Sequence, residues 1–348
     1  MANIAKKICI PSEKRILRVI FLFVGQGDAT LLVIPEGNNY RFALIDCNRN
    51  PEVNGIDLAK LLKDLCDSSL DLFINTHPHK DHLLGVKDIH KQVKIAKIWH
   101  SGHEPKGEHK DAYKELQDVM KDIGEENVIE LRGTRETAPL WDIAYNCLAP
   151  AEYVKDDIEE EDADTHYKRI HEHCAVLRLI YGTEPKRILV TGDADYVAWT
   201  EHITDYHSER LESEVLSAAH HGSRTFFMEK EGGDPYVEHI KKISPDHLVI
   251  SAPSRSESRF DHPHKDALKI YEKHINKDQI INLGDNKECV IVDIDAAGHI
   301  DVYLDKELVE AYGLEEDGGD SGESKKVAPV YIPRSTKIDN KPMGNRTL

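Results

Sequence analysis

A run of imidazoles and a carboxylate directly follows a short apolar segment of this chain. Residues 72–75 (LFIN) are predicted to form a buried strand, and His77, His79, Asp81 and His82 then fall within six residues. In a loop that leaves a strand end, side chains two apart can converge on one ion, as His77 and His79 are placed to do. Asp81 and His82 then face a neighbouring position. The run predicts a metal site at the end of a strand.

Two further segments supply donors of the same kind. Asp193 ends the apolar segment 187–193 (RILVTGD), where a carboxylate is costly unless it is paired or metal-bound. His220 and His221 follow another apolar strand end. Each feature alone also fits a turn or loop residue, but in this order they indicate one shared centre.

The mixture of donors indicates the chemistry. Imidazole suits zinc and iron, and a carboxylate adds a hard ligand. Two neighbouring ions can share one hydroxide and stabilise both the attacking and the leaving oxygen. We therefore expect a hydrolase with two divalent ions. Zinc is expected first, and manganese or iron are the alternatives.

Strands and helices alternate along the chain. Strands are predicted at 17–24, 31–34, 41–46, 72–75, 95–99, 175–182, 187–193, 247–252, 288–294 and 299–304. Helices are predicted at 57–66, 109–123 and 266–275, and the acidic stretch 156–164 is predicted to be a solvated loop. Antiparallel pairs at both ends of this pattern indicate an α/β domain with layered sheets.

Composition limits the partners and the cellular location that we expect for this protein. The net charge of −18 argues against a protein that coats duplex DNA through a wide basic face. Six scattered cysteines, without a paired spacing, indicate reduced thiols. The sequence has no signal-peptide run and no apolar segment long enough to span a bilayer, so a cytoplasmic protein without membrane contact is expected.

Together, the histidine run, the strand that ends Thr-Gly-Asp and the later His-His-Gly-Ser resemble the metallo-β-lactamase superfamily. FLFVGQGDATLLVI, ILVTGDAD, LSAAHHGS and SRFDHPHKDALKIY resemble the hydrolase domain of the ComEC-like DNA-uptake branch. The resemblance covers roughly residues 15–304. It implies a four-layer αβ/βα sandwich, which we place at residues 1–305. Residues 306–348 are predicted to be a flexible polar linker and C-terminal tail.

The resemblance also implies roles for the matching residues. His77 and His79 would bind the first ion, Asp81 and His82 would bind the second, and Asp193 would bridge them. Asp81 would also orient the nucleophile.

For two of the ligand positions, either of two nearby histidines could be the ligand. One of His220 and His221 would complete the second site, and His220 is preferred because it lies nearer the strand end. The third ligand of the first site would be His171 or His173, of which His171 is preferred on its spacing to the following strand. His262 matches a His-Pro element and would act catalytically, through contact with the leaving group or a phosphate.

The chain departs from the branch at several positions. The branch usually has Asn and Ser where this chain has His residues and Cys174 before the strand at 175–182, and it has Asp where this chain has Phe23. Residues 255–260 also differ, and we expect this change and Phe23 to alter the substrate preference. Asp28 is expected to stabilise a turn, and Asp46 to orient a metal-binding histidine through a hydrogen bond.

The resemblance implies a nuclease or related phosphodiesterase, with nucleic acid or a small phosphodiester as its substrate. Lys80, Arg224, Arg255, Arg259 and Lys265 lie near the motifs and could neutralise phosphates. One alternative is a hydrolase of small esters, lactones or cyclic nucleotides, which the acidic composition favours. Another is a module of a multi-protein defence or regulatory assembly, with a partner protein bound through the C-terminal tail.

Overall fold

The computed structural model describes residues 3–152, 158 and 161–314. The strands, in chain order, are β1 (Ile16–Phe21), β2 (Thr30–Glu36), β3 (Asn39–Ile45), β4 (Ser69–Leu70), β5 (Leu72–Asn75), β6 (Lys94–Ile95), β7 (Ile98–His100), β8 (Val128–Glu130), β9 (Ala138–Leu140), β10 (Ile143–Ala149), β11 (Val176–Tyr181), β12 (Lys186–Val190), β13 (Val215–Ser217), β14 (His247–Pro253), β15 (Ile280–Asn282), β16 (Cys289–Asp295) and β17 (Ile300–Asp305). The α-helices are α1 (Ile4–Cys9), α2 (Leu58–Leu65), α3 (Val86–Gln92), α4 (Lys110–Ile123), α5 (Ala163–Glu172), α6 (Glu238–Ile243), α7 (Lys265–His274), α8 (Leu283–Asn286) and α9 (Glu307–Tyr312).

Two large sheets organise these strands. The first has the order β17-β16-β1-β2-β3-β5-β7-β8, antiparallel as far as β3 and parallel from there on. The second has the order β15-β14-β13-β12-β11-β10-β9, parallel from β15 to β12 and antiparallel beyond. Parallel neighbours place their carboxyl ends at one edge, and each sheet therefore has an edge where loops from several strands meet.

The side chains of β11 in the second sheet point alternately into two different core clusters, which shows how the layers stack. Leu177 and Leu179 of β11 join a core cluster that also contains the buried residues of β1, β2 and β3. Val176, the first residue of β11, belongs to a different cluster, together with Ile240 of α6 and Ile270 of α7. Successive side chains of a strand point to opposite faces, so one face of this sheet packs on the first sheet and the other on helices.

Helices α2, α3 and α4 form the remaining layer. They lie in the connections between the parallel strands β3, β5, β7 and β8, and α3 packs on both α2 and α4. Their buried faces carry leucine, isoleucine and valine at helical spacing. The predicted α/β class and the four-layer αβ/βα sandwich are confirmed.

The structure adds a helix, α5, that the sequence analysis did not predict. Asp162 begins it by accepting hydrogen bonds from the backbone N–H groups of Asp164 and Thr165. The predicted acidic loop 156–164 thus ends in a helix, although residues 153–157 and 159–160 lie outside the described part. The buried face of α5 is made of His166, Ile170 and His171, so apolar periodicity could not reveal it.

The described domain also continues past residue 305, where the sequence analysis ended it. Helix α9 buries Leu308, Val309 and Tyr312 and contacts α1 and α2. The phenolic oxygen of Tyr312 lies 2.9 Å from Asp64 Oδ2. Residues 315–348, the rest of the predicted tail, lie outside the described residues, and their assignment stays a prediction. None of the helices in the described ranges is long and apolar enough to cross a membrane.

Candidate metal centre

The candidate centre lies where strand ends of the two sheets meet. The histidine run follows β5 in the first sheet, Asp193 follows β12 in the second, and the His220–His221 pair follows the adjacent β13. A hydrogen bond from Ala175 N to Thr76 O, 2.8 Å long, joins the two sheets beside the run.

The turn Thr191-Gly192-Asp193 needs its glycine. Gly192 has a φ of +47°, and a Cβ at that position would lie 2.7 Å from both Thr76 Oγ1 and Cys174 Sγ. A larger residue would push the turn away from the end of β5. Gly192 thus allows the carboxylate of Asp193 to come close to the histidine run.

Asp193 stands at the middle of the centre, with imidazole nitrogens around both of its oxygens. Oδ1 faces His82 and His221, whose Nε2 atoms lie 3.3 and 3.5 Å away. Oδ2 faces three others, whose Nε2 distances are 3.6 Å for His77, 3.6 Å for His220 and 3.7 Å for His171. We call the Oδ2 side the first position and the Oδ1 side the second position.

The first position gathers three imidazoles besides that of His220. The ligand atoms of His77, His79 and His171 all lie within 4.8 Å of one another, and all three side chains are buried. The structure thus brings together the histidines expected at the first ion, including the preferred His171.

The second position gathers two imidazoles and two carboxylates. His82 and His221 face Asp193 Oδ1, and Asp81 Oδ2 lies 3.5 Å from His221 Nε2. A third carboxylate, Asp28, is also near, since one of its oxygens lies within 4.8 Å of ligand atoms of His82, Asp193 and His221. Its oxygens lie 3.9 Å from the Nδ1 atoms of His82 and His221. Asp28 is therefore a further candidate ligand of the second position.

The buried polar atoms at these positions fit a pair of cations. Nε2 of His77, His82, His171 and His221, and Oδ1 of Asp193, are buried without a hydrogen-bond partner in the described chain. Buried polar atoms without partners are costly, and they are rare in folded proteins. Since imidazole and carboxylate are the donors that transition metals take, this donor set suits two divalent ions.

Hydrogen bonds to the other ring nitrogen orient the imidazoles of the second position. His82 Nδ1 lies 2.8 Å from Asp46 Oδ2, and His221 Nδ1 lies 2.9 Å from Ser251 O. Such bonds fix the tautomer and turn Nε2 toward the ion. Asp46 thus has the contact that the sequence analysis expects of it.

Burial lowers the pKa of the imidazoles at the first position. It holds the pKa of His77 and His171 well below the usual value and brings that of His79 to about 3. These rings are therefore neutral and can donate a lone pair to a cation.

At the second position, neighbouring charges outweigh the effect of burial on the pKa values. Burial lowers the pKa of His82, but Asp193 and Asp46 outweigh it and raise that pKa well above the usual value. Burial is outweighed in the same way at His221, where Asp193 and Asp28 raise the pKa to about 9. Burial would raise the pKa of Asp193, yet the surrounding imidazoles, His82 first, hold it well below its usual value. A cation bound here would displace protons from two imidazoles.

The His-His pair has an unusual backbone. His220 and His221 have φ of 50° and 55°, and Gly222 continues the left-handed region at 76°. The sequence analysis preferred His220 for the second position, but the structure places His221 Nε2 there and turns His220 Nε2 toward the first. Two adjacent left-handed residues send consecutive rings to different sides of Asp193, which strand-end spacing cannot predict.

Two other sequence candidates behave differently. His173 does not join the cluster around Asp193, since its Nδ1 lies 3.1 Å from His103 Nε2. Cys174 Sγ accepts a hydrogen bond from Asp193 N at 3.2 Å. Burial raises the pKa of this thiol well above its usual value, so Cys174 supports the turn as a neutral thiol.

His262, the predicted catalytic histidine, borders the centre. Its ring centroid lies 5.5 Å from that of His220 and 6.1 Å from that of His221. Its Nδ1 lies 3.3 Å from Gln26 Nε2, while Gln26 Oε1 is buried without a partner in the described part. Burial lowers the pKa of His262 to about 2, so the ring is neutral. Gln26, which the sequence analysis did not single out, thus belongs to this flank.

The sequence analysis also missed the opposite flank. The ring of Tyr167 stacks on that of His79 at 4.6 Å, and the ring of His109 stacks on His79 at 4.3 Å. A pocket of about 180 Å³ opens beside His79, lined in part by Lys106, His109 and Tyr167. Tyr167 lies four residues before His171 on α5, and this helical spacing would have identified it once the helix was known.

No protein-family model matches this sequence, and no curated protein matches it. Among solved structures, it is similar to the metallo hydrolase Igni18 from the archaeon Ignicoccus hospitalis, with a TM-score of 0.46 and 12% identity over 83% of this chain and 100% of that chain. It is also similar to a diphosphatase of the PhnP family (TM-score 0.39, 14% identity, 83% of this chain and 99% of that one). A third is BJP-1, a subclass B3 metallo-β-lactamase of Bradyrhizobium japonicum (TM-score 0.31, 15% identity, 65% and 89% covered).

Proposed function

We propose that this protein is a metal-dependent hydrolase that holds two divalent ions about Asp193 and cleaves phosphodiester bonds. One observation carries the proposal: both oxygens of a buried carboxylate are surrounded by imidazole Nε2 atoms, four of which are buried without a hydrogen-bond partner in the described chain. Such a convergence of unpaired donors is what a cation site requires.

The donor sets indicate which ions would fit. His77, His79 and His171 offer a nitrogen-rich first position, which suits zinc or ferrous iron. Asp81 and Asp193 make the second position richer in oxygen, which extends the choice to manganese. Bound ions would supply Lewis acidity and a lowered pKa for water held at the centre.

Asp81 is the most accessible carboxylate of the centre. Its side chain is 34% exposed, whereas that of Asp193 is 3% exposed. Asp81 therefore faces the side from which water and substrate arrive, where it can accept a hydrogen bond and orient the attacking water. This is the role that the sequence analysis expects for it.

The two flanks of the centre favour a diester. The pocket beside His79 offers space for one esterifying group, and Tyr167 can donate a hydrogen bond there. On the other flank, Gln26 and His262 can contact the group on the far side of the phosphate. A phosphodiester has one group for each flank, and two cations stabilise both of its in-line oxygens.

Charge favours a compact substrate over a long duplex. Arg224 pairs with Asp266 at 2.7 Å, and Arg259 pairs with Glu52 at 2.7 Å, so two of the expected phosphate-binding residues are engaged by carboxylates. The net charge of −18 points the same way. The ComEC-like resemblance implies nucleic acid or a small phosphodiester as the substrate. Of these, charge favours a compact one, and we therefore propose a cyclic nucleotide or single-stranded nucleic acid rather than a long duplex. A partner protein bound through residues 315–348 is a further proposal.

The test combines metal analysis with a substrate screen. Purified protein should contain two equivalents of a divalent metal and should hydrolyse at least one of single-stranded DNA, duplex DNA, RNA, cyclic nucleotides or a bis-aryl phosphodiester. Asp81→Ala should abolish that activity and leave the circular dichroism spectrum unchanged, whereas Asp88→Ala, an exposed carboxylate of α3, should keep it. Protein that holds no metal, or activity that survives Asp81→Ala, would contradict the proposal.

A further inference from the structure

The backbone of the His-His pair is held in an unusual conformation. Residues other than glycine adopt the left-handed backbone conformation at an energetic cost. Two such residues in succession indicate that the surrounding structure imposes the conformation. His220 and His221 are such a pair, with φ of 50° and 55°. A hydrogen bond from His220 N to Gly192 O, 2.9 Å long, joins the pair to the turn that carries Asp193.

This conformation presents the two rings to different oxygens of one carboxylate. His220 Nε2 lies 3.6 Å from Asp193 Oδ2, and His221 Nε2 lies 3.5 Å from Oδ1. The ring of His220 also lies 4.5 Å, centroid to centroid, from that of His171. The donor atoms of His171, Asp193 and His220 fall within 4.8 Å of one another, as the atoms of one cation site do.

The ring of His220 is held from behind, like those of His82 and His221. Its Nδ1 lies 3.0 Å from Thr225 Oγ1, which in turn lies 3.1 Å from Ser223 Oγ. Such a bond fixes a metal-binding imidazole with its other nitrogen facing the ion. The Nδ1 contact of His220 thus matches those of His82 and His221, the two imidazoles of the second position.

We propose that His220 and His221 serve different ions, and that His220 is the fourth imidazole of the first position. This rests on the two-ion centre of the proposed function. The first position then joins two groups of donor atoms that share His171, one with His77 and His79 and the other with Asp193 and His220. The second position has His82, His221 and the other oxygen of Asp193, with Asp81 on the side open to water and substrate, where its side chain is 34% exposed.

The alternative is that His220 contacts the substrate and binds no ion, because its ring is partly exposed. Its side chain is 15% exposed, compared with 1% for His221. The two roles differ in a measurable way, because only a ligand changes the affinity and spectrum of a bound metal when the substrate is absent.

The experiment is a titration of the metal-free full-length protein with Co²⁺, in competition with a chromophoric chelator, with optical spectra recorded throughout. His79→Ala identifies the dissociation constant and absorption band of the first position, and Asp81→Ala identifies those of the second. His220→Ala should weaken the first-position ion at least tenfold and change its band, leaving the second as in the wild type. His221→Ala should do the reverse.

A second variant separates the loss of a ligand from a distortion of the turn. His220→Asn keeps a residue that tolerates the left-handed region but is too short to reach the ion, so it should reproduce the effect of His220→Ala. Wild-type dissociation constants and bands in both His220 variants would overturn this inference and leave the two-ion centre standing. Wild-type protein that fails to bind two ions would overturn the proposed function itself.

Discussion

His82 Nδ1 lies 2.8 Å from Asp46 Oδ2, and both side chains are almost completely buried. Asp46 also accepts hydrogen bonds from the backbone N–H of Thr76 at 2.8 Å and from its hydroxyl at 2.6 Å. The carboxylate at the end of β3 therefore fixes both the start of the histidine run and the ring of its last member. Asp46 is a positioning residue, since it acts on the ion only through His82.

Replacement of Asp46 by Asn should weaken the second-position ion. The amide keeps the size of the carboxylate but loses the charge that orients and polarises His82, and such outer hydrogen bonds are typically worth about 10- to 100-fold in metal affinity. Competition with a chelator would measure this. Asp71→Asn is the matched control, because Asp71 accepts hydrogen bonds from Phe42 N and Arg41 away from the centre. Equal affinities in both variants and the wild type would refute the role of Asp46.

Asp193→Asn should remove more than one ion. Both oxygens of Asp193 face imidazole Nε2 atoms, and the substitution leaves those imidazoles without their shared counter-charge. Metal content should fall from two equivalents to below one, and hydrolysis should fall by more than about 100-fold, beyond the usual effect of an outer hydrogen bond. Asp195→Asn, two residues along the chain, should keep both ions because Asp195 accepts hydrogen bonds from Val197 N and Ala198 N. A fully loaded Asp193→Asn protein would show that the carboxylate is not shared.

The sequence could predict those parts of the fold and centre that depend on local spacing. Apolar runs located the main strands, because a strand buried on both faces needs continuous apolar residues. The spacing of His77 and His79 predicted convergence because the loop after a strand allows it. Asp193 stood out since a carboxylate at the end of an apolar strand requires a partner.

Other parts depend on tertiary structure. Helix α5 buries imidazoles where an ordinary helix buries aliphatic residues, so its partner is the centre itself and its apolar period is weak. The separation of His220 from His221 depends on two left-handed φ angles, which spacing along the chain does not encode. Gln26 and Tyr167 come to the centre from loops and helices far apart in sequence, and only packing brings them there.

Tyr167→Phe should lower catalytic efficiency without loss of metal. The phenylalanine ring keeps the stacking on His79, but the hydroxyl can no longer donate a hydrogen bond into the pocket. A hydrogen bond to a charged group is worth about 1.5–3 kcal/mol, which corresponds to a loss in kcat/KM of roughly 10- to 100-fold. Steady-state kinetics and metal analysis would check this, with Tyr303→Phe on β17 as the control. Wild-type kcat/KM in Tyr167→Phe would show that the hydroxyl does not contact the substrate.

His239 should make the protein less stable in acid. Its fully buried ring lies 4.1 Å from the ring of Phe226 and stacks on Tyr236 at 5.2 Å, and burial lowers its pKa from 6.5 to about 3. The unfolded chain binds a proton below pH 6.5 while the folded ring stays neutral, so the free energy of unfolding falls as the pH drops from 6.5 toward 3. At pH 5 this single group should cost about 2 kcal/mol.

The measurement is the pH dependence of urea unfolding in the wild type and in His239→Phe. Other buried imidazoles, including those of His171 and His262, change stability with the same sign, so the difference between the two proteins isolates His239. The gap should widen in favour of His239→Phe as the pH falls from 7 to 5, because phenylalanine takes up no proton in the unfolded chain. His299→Asn is the opposite control. Asp295 raises the pKa of this exposed histidine, so its stabilising contribution exists below its unfolded pKa and the variant loses stability in acid. Parallel pH profiles for His239→Phe and the wild type would show that His239 takes up its proton as readily in the folded protein as in the unfolded chain.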